Sequence, residues 1–116
     1  QSMLPVLRTE GVHKRGLPLS DLVRLTAGNP ARIFGLYPRK GSLLPGADAD
    51  LVVVDPEAVW KLAADDLFYK HKHSAYVGRR FHGRVERTIV RGQTVFADGR
   101  ICVDPGYGHW LRRGQA

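Results

Sequence analysis

Cysteine is nearly absent from this 116-residue chain. Cys102 stands alone, which excludes an internal disulfide and suits a reducing, cytoplasmic compartment. Methionine also occurs once, at Met3 behind Gln1 and Ser2, and we read that start as processed, tagged or, preferably, cut from something longer. No apolar run approaches the length of a membrane span, and the first residues lack a charged-then-apolar signal pattern, so no membrane partner is expected. Aromatic residues are too scattered around the basic stretch to form a stacking platform for bases. Internal repeats and low-complexity tracts are missing as well. What is present is length enough for one domain, an ordinary apolar content and a near-average charged fraction, which argue against disorder. The formal charge is +7, with Lys and Arg concentrated from Lys70 to Arg91. Such an excess can bind polyanions. A segment of a larger protein need not share its parent's charge, however, so a small basic nucleic-acid-binding domain is only a distant alternative and no nucleic-acid partner is expected.

Punctuation by glycine and proline divides the chain. Met3, Leu4, Val6 and Leu7 give a first helix a wide apolar face, with Pro5 tolerable in its opening turn. Gly11 to Gly16 reads as a loop. Ser20 is the expected N-cap of a second helix, with Asp21 favourable in its first turn and Leu22, Val23, Leu25 and Thr26 facing inward. Gly28 is expected to end it. Asn29-Pro30 then starts a third helix, Ile33 and Phe34 supply its apolar contact, and Gly35 terminates it in the left-handed region. Beyond Gly35 the period turns extended. Pro45-Gly46 marks a turn, and Leu51 to Val54 is a continuous apolar strand that implies cover on both faces. Ala58 to Leu67 is expected to form an irregular helical turn. Val85 to Val90 and Thr94 to Ala97 flank a tight hairpin at Arg91-Gly92-Gln93. Asp98-Gly99 makes a second, with Ile101 to Val103 returning. Pro105 onward is a glycine-interrupted tail.

Candidate chemistry is sparse. His71 and His73 are two apart, so in an extended chain both imidazoles point one way and can share a zinc ion. Lys70 and Lys72 repel a divalent cation, and a solvated basic loop is the competing reading. His13, His82 and His109 are isolated in sequence and read as surface or hydrogen-bonded histidines. Asp48 and Asp50 fit a carboxylate pair or, in their Pro-Gly-Ala context, a turn. Asp65-Asp66 reads as a helix or turn start. Ser20 lacks the glycine frame of a nucleophile elbow, and Gly106-Tyr107-Gly108 precedes no helix that would make a phosphate loop. Cys102 reads as a small buried strand residue. Trp60, Tyr69, Tyr76, Trp110 and Leu111 line a subunit interface or pack inside the β-rich part.

Four segments carry a family resemblance: SMLPVLRTEGV (Ser2 to Val12), LSDLVRLTAGNPARIFGLYPRKG (Leu19 to Gly41), LLPGADADLVVVDP (Leu43 to Pro56) and YVGRRFHGRVERTIVRGQTVFADGR (Tyr76 to Arg100). Together, in order and at fitting separations, they resemble the C-terminal end of the amidohydrolase superfamily, in its allantoinase, dihydroorotase and hydantoinase group. His71 to Gly78 is most similar to the allantoinase form of that loop, although Ala75 stands where a proline is usual there.

The resemblance implies an α+β fragment: residues 1–36 as the last helices of a (β/α)8 barrel, residues 37–103 as the C-terminal part of a composite β-sandwich, and residues 104–116 as a tail. It implies hydrolysis of a cyclic amide or ureide by the intact protein, using zinc (one or two divalent ions with a carboxylated lysine). Those ligands and the catalytic aspartate would lie upstream of Gln1, so the expected catalytic, cofactor-binding and metal residues within this chain are none. Expected partners are the missing barrel and sandwich strands, a small cyclic substrate, and further copies in a homo-oligomer. A non-catalytic assembly module complementing a barrel-bearing chain is the alternative.

Overall fold

The structure, a computed structural model, describes residues 1–112. Two helical rods lead into a four-stranded antiparallel meander. In the first rod, α1 (Met3–Leu7) passes directly into a π-helical stretch, Arg8–His13. The expected loop from Gly11 is therefore wrong: the chain stays helical until Gly16, which turns it at φ 69°. Gly11 is kept in the rod because Leu17 folds back over it. A methyl group there would meet Leu17 Cδ2 at 3.4 Å, and the Leu17 amide donates to the Gly11 carbonyl at 3.0 Å.

The second rod is α2 (Leu19–Val23), a π-helical stretch Arg24–Gly28 and α3 (Asn29–Ile33), continuous end to end. Three expectations fail here. Pro18, not Ser20, occupies the cap position, Gly28 is helical at φ −63°, and Asn29 makes no cap. The physical reason is Pro30. It has no amide to donate, and its ring excludes the carbonyl four residues back. Widening the helix just before it lets the chain absorb the proline without stopping. Leu22 is buried as expected and Thr26 partly so, its hydroxyl donating to the Leu22 carbonyl at 2.8 Å, whereas Val23 and Leu25 are exposed. Gly35 does terminate the rod: its amide reaches the Arg32 carbonyl at 3.1 Å and the Leu36 amide reaches that of Ala31 at 2.8 Å. That reciprocal pair satisfies carbonyls the helix end would orphan.

The strands are β1 (Leu51–Lys61), β2 (Arg80–Val90), β3 (Gln93–Ala97) and β4 (Arg100–Ile101), adjacent in that order. Arg91-Gly92 and Asp98-Gly99 are two-residue hairpins with positive φ at all four positions. Gln93 belongs to β3 and not to the turn, and the returning strand is Arg100–Ile101 where Ile101 to Val103 was expected. The expected helical turn from Ala58 is corrected. Val59, Trp60 and Lys61 pair with His82, Phe81 and Arg80, so β1 continues to Lys61. A turn follows, held by the Asp66 carboxylate accepting from the Ala63 amide at 2.9 Å. Cys102 lies just past β4 and is exposed, not buried. The last four residues of the expected tail, 113–116, lie outside the described residues. No helix among the described residues is long and apolar enough to cross a membrane.

Phe81, Leu67 and Leu62 form the tightest core, with Val6, Trp60 and Tyr76 against them. The molecule is a slab of 41 × 36 × 21 Å. Its accessible surface is 8237 Å², whereas a globular monomer of this mass exposes about 6,300 Å². The excess follows from side chains that nothing covers.

Gly41 shows how the rod and the connector to β1 are fitted together. Its backbone presses on Ala27 and Ala31, and a Cβ there would lie 2.6 Å from Ala31 Cβ and 2.8 Å from the Ala27 carbonyl oxygen. Gly46 has a similarly positive φ, yet a Cβ there meets nothing within 4 Å. Gly46→Ala should lose only the left-handed strain, about 1–2 kcal/mol. Gly41→Ala should lose that and a further ~1–3 kcal/mol from overpacking. Denaturant midpoints of the two variants check this; equal losses would contradict it.

Candidate functional site

Three features are built well enough to carry a role: an ionic latch, a helix–sheet joint and an uncovered apolar surface. The latch replaces the notion of Asp48 and Asp50 as acid/base groups. Lys40 bridges both carboxylates, at 2.9 Å to Asp48 and also directly to Asp50, while Arg39 binds Asp48 at 3.1 Å. The Arg91 amide donates to the remaining Asp50 oxygen at 2.9 Å, tying the β2–β3 hairpin to the same cluster. Burial opposes the charge on Lys40, but the hydrogen bonds it donates to the two aspartates prevail and hold its pKa above the usual value. Bonding to Lys40, then to Arg39, holds Asp48 below the usual carboxylate range. An Asp48 carboxylate so held stays ionised near neutrality, and Asp50 serves as an anchor for Lys40 and the Arg91 amide.

The joint fastens the first rod to β2. Thr9, 2 % exposed, accepts the His82 amide on its hydroxyl at 3.0 Å. Arg8 lies over Gly83, whose φ of 84° and missing Cβ make room, and donates to the Pro56 carbonyl at 2.9 Å. Opposite this point β1 carries extra residues between Asp55 and Val59, an irregularity that includes Pro56. Glu10 binds Lys14 at 2.7 Å, Arg15 at 3.2 Å, and Arg79 from the segment entering β2. His13 and His82 stack with centroids 3.6 Å apart and planes 13° from parallel. Both histidines were read as isolated; the fold brings them together across 69 residues, a separation that sequence spacing does not disclose. The Glu10–Lys14 i,i+4 spacing was the visible signal.

Apolar surface makes up the third feature. Met3 and Leu7 share one helical face and Leu19 and Val23 another; all four are exposed. Ile33 and Phe34, 72 % and 66 % exposed, line a groove of about 400 Å³ with Leu36, Trp110, Leu111 and Arg112. Val52 and Val53 are exposed on β1, an outermost strand of the sheet. Trp60 and Tyr76 pack on Phe81, so those two aromatics are internal; Tyr69 is partly exposed and Trp110 is open. Uncovered apolar area on this scale marks an interaction face.

Other candidates come apart. His71 and His73 are both exposed, with the His73 amide bonded to the His71 carbonyl at 2.7 Å. Lys72 between them is turned to the Leu67 carbonyl. His109 is exposed and Ser20 makes no cap. Among the described residues no group of three or more His, Cys, Asp or Glu side chains is arranged to hold a metal ion. The described residues do not fit the zinc that the family resemblance implies.

Comparison with known proteins places this geometry. The amidohydrolase family model matches residues 2–95. An allantoinase of Rubrobacter xylanophilus is 50% identical over 112 residues, covering 97% of this chain and 24% of that protein. An L-hydantoinase of Paenarthrobacter aurescens is 37% identical over 97% of this chain and 25% of its own length. Among solved structures, the L-hydantoinase (dihydropyrimidinase) from Arthrobacter aurescens superposes with a TM-score of 0.90 at 38% identity, over 95% of this chain and 24% of that one. The D-hydantoinase (dihydropyrimidinase) from a Thermus species gives 0.91 at 32%, over 97% and 24%. The chain belongs to the amidohydrolase family: it is an α+β segment matching one part of those structures, and it spans about a quarter of the length of these relatives.

Glu10 gives the joint a pH signature. Hydrogen bonding to Lys14, and then to Arg79, holds its pKa at about 2 against an ordinary 4.5. A depressed carboxylate stabilises the fold above its unfolded value and loses that contribution as pH falls. Stability should therefore drop between pH 4.5 and about 2. Glu10→Gln should be less stable at neutrality and lose less stability than wild type across that window, measured as denaturant midpoint against pH.

Proposed function

We propose that this chain is the C-terminal, structural part of a cytoplasmic metal-dependent hydrolase that opens the ring of a cyclic amide or ureide, with allantoin, converted to allantoate, as its substrate. The observation that carries this reading is the 50% identity to an allantoinase along 97% of the chain. Hydantoinase and dihydroorotase activities belong to the same reading as competing substrates. Residues 1–36 then close the (β/α)8 barrel, residues 37–103 form part of the composite β-sandwich, and residues 104–116 are its tail. Catalytic residues, the zinc ligands and the facing sandwich strands are supplied by the remainder of the protein, which assembles as a homo-oligomer.

On this reading the segment contributes position, not chemistry. The Lys40 latch and the Arg8–Gly83–Pro56 contact fix the helical rods against the sheet. The exposed faces of the rods and of β1 meet the rest of the polypeptide. An assembly subunit that complements a separate barrel-bearing chain uses the same apolar faces, and co-purification with such a chain distinguishes it.

The test is turnover by the full-length protein with allantoin, dihydroorotate and hydantoin offered separately, before and after chelation and zinc restoration. Chelator-sensitive hydrolysis of allantoin, with none from the 116-residue chain alone, is the expected outcome. Hydrolysis by the short chain, or none by the full-length protein, overturns the reading; preference for another ring replaces the substrate.

A further inference from the structure

We propose that the stacked His13–His82 pair is an acid-sensitive joint between the first helical rod and the sheet, closed while the His82 ring is neutral and loosened when it takes a proton. This inference does not rest on the proposed catalytic reading. It starts from geometry: two imidazoles lie face to face at 3.6 Å, one from the end of the Arg8–His13 stretch and one from β2. Face-to-face contact leaves no room for a counter-ion between them.

The surroundings share one sign. The rod contributes Arg8 and Lys14 and β2 contributes Arg80, all of which disfavour a charge on His82. Across the sheet, β1 sets Val59 opposite His82 and Lys61 opposite Arg80, adding another cation. Glu10 is the carboxylate of the rod near this point, and Lys14, Arg15 and Arg79 already occupy it. Desolvation, followed by the His13 ring and then Arg80, Lys14 and Arg8, holds His82 below its ordinary 6.5. The sign follows. A histidine depressed in the closed state binds its proton more readily in the open one. Closure is thus complete above pH 6.5 and weakens below it.

What loosens is specific. The His82 amide is held by the Thr9 hydroxyl, so parting the rings also strips the buried Thr9 of its partner and frees Arg8 from Pro56. The rod's hold on the sheet is weakened at this end, leaving the Glu10–Arg79 bridge and Val6 on the Phe81 core, while the β2–β3 hairpin, built from its own ladder, stays paired.

The test is amide hydrogen exchange on the full-length protein at pH 7.5 and pH 5.5, expressed as protection factors. Wild type should lose protection at residues 9–13 and 80–83 but not at 88–97. Its open population should rise about tenfold per pH unit between the protonation midpoints of the closed and open states. His13→Phe keeps a stacked ring but leaves His82 desolvated beside Arg80, Lys14 and Arg8, so it should still lose protection at pH 5.5, by less than wild type. His82→Gln, which removes the depressed imidazole, should be pH-insensitive there and serves if the first variant does not fold. Histidine NMR titration of wild type should place one ring below 6.5. Unchanged protection in wild type, equal loss in His82→Gln, or both rings titrating at or above the ordinary value overturns the proposal.

Discussion

Apolar side chains along both helical rods and the outer strand have no protein on their far side among the described residues, and that constraint governs the rest of the structure. Phe81, Leu67 and Leu62 are nearly sealed from water, each contributing about 1.5–3 kcal/mol by burial. Around them Met3, Leu19, Val23, Ile33, Phe34, Val52 and Val53 stand largely in solvent. A surface nearly a third larger than a globular monomer of this mass presents is the direct result. Among the described residues the core is small beside the apolar surface left open, and the proposed barrel and facing strands are offered as its cover.

Because apolar cover is thin, polar contacts take over the work of alignment. Lys40 draws the connector turn and the β2–β3 hairpin onto one cluster through Asp48 and Asp50. Thr9, Arg8 and Glu10 dock the first rod on the sheet through three separate hydrogen-bonded contacts. Partly buried ion pairs of this kind set geometry more than they add stability, since desolvation offsets much of their attraction. That division suits the proposed structural role, in which the apolar faces bind and the ionic clusters set the angle at which they are presented.

Local chemistry was legible in the sequence wherever a short run decides its own conformation. Gly35 ends its rod because only a left-handed residue can close the helix, and Arg91-Gly92 and Asp98-Gly99 turn because their residues tolerate positive φ. Gly28 misled for the opposite reason. A glycine followed by Asn-Pro reads as a stop, but Ala27, Gly28 and Ala31 are small so that the chain at Gly41 can lie on a continuous helix. Leu51 to Val54 was rightly read as a strand, while the pairing that extends β1 to Lys61 depends on β2 and left no local trace. The family was legible from its ordered segments. The His13–His82 stack and the Glu10–Arg79 bridge were not, because each joins residues about seventy apart.

Thermal unfolding of the isolated 116-residue chain, followed by calorimetry with its association state monitored by sedimentation, tests the central claim most directly. With so much apolar surface uncovered, the chain should self-associate and melt broadly, without a single cooperative heat peak. A monomer that unfolds in one sharp, reversible transition would show that its own core suffices, and would contradict the account.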